Sequence, residues 1–160
     1  MNALAPEELF ARGSVPMHGP VVWQTPIPEN GSGVYVMALA DPARVAIDHL
    51  DADQRGRWIG GQQIVYIGRA RRLRRRLSQF YRHRYGARSP HRGGQSILLL
   101  DCAMLVYWSP ASDFREAEHR MIEAFRAAVG AMPFANRVRS AQARRAPRER
   151  QDGWSERTRP

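Results

Sequence analysis

The chain contains no lysine; all 25 of its basic residues are arginine. Its single cysteine, Cys102, excludes an internal disulfide framework and a cysteine-based zinc site. No apolar run nears the roughly 18 residues that a membrane helix needs; Ile97-Leu98-Leu99-Leu100, for instance, ends at Asp101. The chain does not open with basic residues followed by an apolar stretch, so no secretory leader is expected, and a reducing cytoplasm is the expected setting. What is present is 160 residues with a 43% hydrophobic content, enough for one domain to bury its own core.

The net charge of +10 is unevenly spread. Residues 1–68 carry four arginines and seven acids, whereas residues 69–92 carry ten arginines and no acid. Residues 93–136 return to a slight acidic excess, and residues 137–160 add eight arginines against three acids. A basic segment so concentrated points to a polyanionic partner, usually nucleic acid. Charge alone does not separate DNA from RNA, or either from a merely solvated face.

Residues 1–31 hold five prolines and few periodic apolar positions, which predicts an irregular lead-in. Within it, a helical turn is expected near Pro6–Arg12 and a strand near Val21–Gln24. Val34–Leu39 and Gln63–Ile67 read as strands, with a large insertion between them. Asp41-Pro42 predicts a helix start, running to about Leu50. Leu73, Leu77 and Phe80 fall at helical spacing within 70–84. Three glycines and a proline over 85–96 predict a basic loop. Met104–Trp108 reads as a third strand, and a helix follows from its Asp113 cap to about Val129, with Gly130 as its stop. Residues 138–160 are basic and poor in apolar side chains, so they are expected to be a disordered tail. The predicted domain is α+β, with a three-stranded antiparallel sheet flanked by helices over 32–137.

Two helices place polar groups unusually. On a helical wheel, Glu118 falls among Phe114, Met121, Ile122, Phe125 and Val129, while Glu116 and Glu123 lie opposite. A carboxylate facing a core is costly unless paired or bound to a cation. Glu118 is therefore either half of an arginine salt bridge, a metal ligand or an acid–base group. On the earlier helix, Arg71, Arg75 and Arg82 point to solvent. Arg76, His83 and Arg72 lie on the shoulder of the apolar stripe, so Arg76 either reaches a site beside the sheet or packs its stem on the core.

Gly33-Val34-Tyr35, Tyr66-Ile67-Gly68, Arg76 ten positions after Tyr66, Glu118 on a helix and Pro133-x-x-Asn136 come in order. Together they resemble the GIY-YIG nuclease family. The resemblance implies hydrolysis of DNA phosphodiesters with one divalent cation, Mg²⁺ or Mn²⁺. It implies Glu118 as the metal ligand, Arg76 as the phosphate clamp, and Tyr35 and Tyr66 as the pair that positions or deprotonates water. A phenol made more acidic by nearby cations would suit that last role. Asn136 would anchor the end of the signature. Gly33 and Gly68 would let the backbone turn tightly beside each tyrosine. Many relatives carry His or Tyr four residues after the arginine; here that position is Phe80, and His83 is the expected substitute. The stretch between the tyrosines is longer than in many relatives, and Asn136 lies further from Glu118 than in the repair nucleases. Arg69, Arg72, Arg75 and Arg92 are the candidate contacts to the nucleic-acid backbone. The competing readings are a non-cleaving nucleic-acid-binding module of the same fold and a protein–protein adaptor. Steep salt dependence of binding would separate nucleic-acid binding from the adaptor.

Overall fold

The computed structural model describes residues 3–84 and 92–136, with the backbone alone at 92–94. Strand β2, Gly33–Leu39, is buried at all seven positions. An uncharged run of this kind must be covered on both faces, and it is. Tyr35, Met37 and Leu39 enter one core layer. Val34, Val36 and Ala38 enter the other.

Strand β3, Ile64–Ala70, and strand β4, Met104–Pro110, flank β2 antiparallel. Tyr35 lies opposite Gly68 and Met37 opposite Tyr66, after which a bulge shifts the register so that Ala38 faces Ile64. A fourth strand, β1 at His18–Val22, pairs with β4, giving the order β1-β4-β2-β3. The sheet is therefore four-stranded, not three-stranded. β1 is an edge strand with an exposed pattern, and an edge is where Pro20 can sit without costing the ladder a hydrogen bond. The lead-in is more regular than expected, and the helical turn foreseen near its start is present. Helix α1, Pro6–Arg12, buries Leu9 and Phe10 and packs against the last helix.

The first core layer is closed by α3, Leu73–Tyr81, through Leu73, Leu77 and Phe80. Helix α4, Arg92–Leu98, adds Ile97, and Leu100 follows it into the same layer. The predicted loop thus becomes a helix over its last part, because burial of Ser96, Ile97 and Leu100 outweighs the weak helical propensity of Gly93 and Gly94. The first part of that loop and the expected tail lie outside the described residues. The second layer is closed by α5, Phe114–Val129, through Ala117, Met121, Phe125 and Val129. Asp113 caps α5 by accepting from the Glu116 amide, and Gly130 ends it in the left-handed conformation.

In the β2–β3 connection, Asp41 does cap a turn, but only a 3₁₀ turn at Pro42–Arg44, which stops where Val45 goes extended. The α-helix lies further on, as α2 at Ala52–Arg57, started by a reciprocal Asp51–Gln54 capping box. No helix among the described residues is long and apolar enough to cross a membrane.

Candidate active site

Tyr35 and Tyr66 sit on adjacent strands with ring centroids 5.9 Å apart. They share a face because of the register, and Gly68 makes room for both. A β-carbon at Gly68 would come within 2.6 Å of the Tyr66 ring and 2.7 Å of Tyr35 Cζ. Gly33 is likewise a close-approach position: a β-carbon there would lie 2.0 Å from the Ser109 carbonyl oxygen. Neither glycine has a positive φ among the described residues, so neither makes the tight turn expected of it. Both are strand residues that keep space open.

Arg76 comes from α3 and joins the phenols. Its Nε donates to the Tyr35 hydroxyl at 3.3 Å, and its guanidinium lies 5.5 Å from the Phe80 ring centroid. Tyr35 and Arg76 both lie close enough to the Tyr66 hydroxyl to influence it electrostatically. Phe80 packs beneath both rings, with centroids 5.9 Å from Tyr35 and 5.6 Å from Tyr66. The cation–π contact and the hydrogen bond to Tyr35 fix the Arg76 fork.

On balance these phenols are less acidic than an ordinary tyrosine, not more. Burial raises Tyr35 well above the ordinary tyrosine range, and Tyr66 adds to that, while Arg76 opposes it. Burial also raises Tyr66; Tyr35 and Arg76 pull it down, and Glu118 pushes it up. Loss of water around the ring outweighs one guanidinium. Both phenols are protonated at neutral pH in this structure, which suits hydrogen bonding to water better than deprotonating it.

Glu118 approaches from α5, on the opposite layer, and meets Arg69 of β3. That geometry exists because β3 is the sheet edge. The Glu118 side chain is only 17% exposed, and the carboxylate forms a hydrogen-bonded ion pair with Arg69 of β3. Burial raises the Glu118 carboxyl, and Arg69, then Arg76, pull it back. The arginine salt bridge is thus formed, and it lies within the electrostatic reach of Arg76 and Tyr66.

Beside this pair opens a cavity of about 420 Å³, lined by Arg69, Arg71, Arg72, Arg75, Arg76 and Arg115, with Gln79 and Phe114 and no acid. Six arginines and no acid in the lining give this cavity a positive potential that favours an anion. Arg71 and Arg115 were not singled out from sequence. Arg115 stands three residues before Glu118 in the first turn of its helix, a spacing that puts both on one flank.

Asn136 clips the edge of β3. Its Oδ1 accepts from the Ile67 amide at 2.9 Å, and its Nδ2 donates to the Ile67 carbonyl at 2.8 Å. The Ala135 amide adds a bond to the Val65 carbonyl at 2.9 Å. The side chain thus does what a neighbouring strand would do, directly between Tyr66 and Gly68. His83 is buried and hydrogen-bonds Gln95 beyond α4's first turn. None of its described hydrogen bonds reaches the phenol cluster, so the structure does not bring it into the site as the substitute for a family His or Tyr. Arg72 and Arg75 line the cavity; the Arg92 side chain lies outside the described residues.

No group of three or more His, Cys, Asp or Glu that could hold a metal is found among the described residues. A single carboxylate suits Mg²⁺ nonetheless, since that ion keeps several waters and takes further ligands from substrate phosphates. No family model, curated protein or solved structure matches the chain.

Proposed function

We propose that this chain is a metal-dependent DNA endonuclease of the GIY-YIG type. The observation that carries this reading is a convergence: Glu118 of α5, Arg76 of α3 and the phenols of β2 and β3 gather around one strand edge, beside an acid-free cavity lined by six arginines.

In this reading Glu118 holds a divalent cation, which when bound neutralises charge on the attacked phosphate and the leaving oxygen. Arg76, oriented by Tyr35 and Phe80, presents its guanidinium to the phosphoryl oxygens as charge builds on them. Tyr66 and Tyr35, protonated, orient the attacking water. Arg69 is the cation that Glu118 holds here, and it lines the same cavity as Arg76. When the carboxylate is needed elsewhere, Arg69 is free to turn to a phosphate.

The test is incubation of supercoiled DNA with purified protein and Mg²⁺ or Mn²⁺. Nicking and linearisation are expected, abolished in Glu118→Ala and Arg76→Ala. Intact supercoiled, linear and branched DNA with either ion would overturn the reading. The second reading is a non-cleaving DNA-binding module, favoured by Phe80 in a position that cannot move protons and by the Glu118–Arg69 pair, which satisfies the carboxylate without a metal. There, Glu118→Ala leaves DNA binding unchanged or tighter, with no metal required.

A further inference from the structure

A second polar groove lies on the other side of Arg75, and nothing in the catalytic reading uses it. Its volume is about 550 Å³, and Gln24, Asn30, Arg75, Ser78, Tyr81 and Arg82 line it. Arg75 also lines the first cavity, so the two are continuous across one side chain.

The groove is built rather than incidental. Its outer wall is the lead-in loop, bound to the start of α3. The α3 cap residue, Arg72, offers no side-chain acceptor, so the exposed amides of the first turn need carbonyls from elsewhere. The Leu73 amide donates to the Gly31 carbonyl at 2.9 Å, and the Arg74 amide to that of Glu29 at 3.1 Å. The Arg74 side chain donates to the Ile27 and Pro28 carbonyls. Tyr81 donates to the Thr25 carbonyl at 3.1 Å and packs edge-on to Trp23. Arg74 and Tyr81 thus hold the wall. Arg75 and Arg82 make no ion pair among the described residues, and the groove lining contains no acid. Cationic forks between amide and hydroxyl side chains match the phosphates and sugars of a nucleic-acid strand.

We propose that this groove is a second phosphate site, which grips the DNA strand beyond the bond held at the first cavity. Arg75 bridges the two sites and Arg82 closes the far end. Arg75, in the helix, and Arg82, its C-cap, are seven positions apart, about 10 Å along the axis. Phosphates of one strand are spaced more widely than the axial rise of about 3.4 Å per nucleotide, because the backbone also winds, so the second contact lies about two nucleotides from the first. The proposal rests on DNA being the ligand of the first cavity, but not on its being cut.

The experiment measures binding of a fluorescein-labelled DNA duplex to the full chain in EDTA, with one methylphosphonate placed at each position in turn. Neutral linkages about two nucleotides to one side of the central contact are expected to weaken binding about tenfold. Arg82→Ala is expected to weaken it by a similar factor on unmodified DNA, and not at all further once that phosphate is neutral. Asn30→Ala is expected to weaken binding to a smaller degree, and Arg12→Ala, on α1, leaves it unchanged. Wild-type affinity in Arg82→Ala, or an equal loss at every methylphosphonate position, would overturn the groove. A positional footprint without cleavage on adding Mg²⁺ or Mn²⁺ supports the groove while removing the endonuclease. Cleavage with a footprint confined to the central phosphates removes the groove and leaves the endonuclease standing.

Discussion

The sheet ends in two strands that meet their surroundings differently. At β3, the backbone edge is held by Asn136 and Ala135, and Glu118, Arg69, the phenols and Arg76 gather around it. At β1, the edge is left to Pro20 and a largely exposed Val22, and its role is to cover β4. A proline edge discourages unwanted pairing at little cost. An edge clipped by a side chain does something else. It fixes the position of a strand whose two faces must both present groups to one site, while leaving room for helices from opposite layers to reach it.

The contrast can be broken most sharply at the chemistry. Glu118→Ala or Arg76→Ala is expected to lower DNA cleavage by about a thousandfold or more, with circular dichroism confirming the fold. Gly68→Ala comes next. The new methyl would strike both phenols, displacing them and destabilising the protein by about 1–3 kcal/mol. Cleavage should fall about a hundredfold, since an ångström of misplacement costs about that much. A fully active Gly68→Ala would mean the phenols need not be close. Asn136→Ala removes two hydrogen bonds from Ile67 and should lower urea stability by about 1–3 kcal/mol. The matching change at the other edge, Val22→Thr, should stay within about 0.5 kcal/mol and leave cleavage alone. Equal effects at the two edges would erase the distinction drawn between them. Smallest in activity but most specific is Arg69→Ala. Mn²⁺ titration followed by electron paramagnetic resonance should show several-fold tighter binding, because Glu118 loses a competing cation, while the salt slope of DNA binding falls by about 0.9.

Much of this was legible in advance where a local pattern suffices. The uncharged run at 34–39, the Asp113 cap with its Gly130 stop, and the Leu73–Leu77–Phe80 stripe located β2, α5 and α3. The inward position of Glu118 followed from the wheel alone. What escaped depends on partners far along the chain. The strand expected near Val21–Gln24 begins earlier, at His18, because its pairing partner β4 lies more than eighty residues away. α4 forms through two glycines only because Ile97 and Leu100 find a core. The Arg69–Glu118 pair joins a strand to a helix 49 positions later, and neither side chain announces the other. The phenols were expected to shift downward, since cations nearby could be counted; how dry Tyr35 would be could not.

The cationic lining has one last consequence. The two kinds of cationic side chain differ in their reactivity as well as their shape. A cavity whose cations are all arginine offers a reagent guanidines and no amines. Reagents that acylate side-chain amines find nothing here to modify, because the chain has no lysine. A dicarbonyl such as phenylglyoxal, which condenses with guanidines, would silence the surface instead, and bound polyanion would shield it.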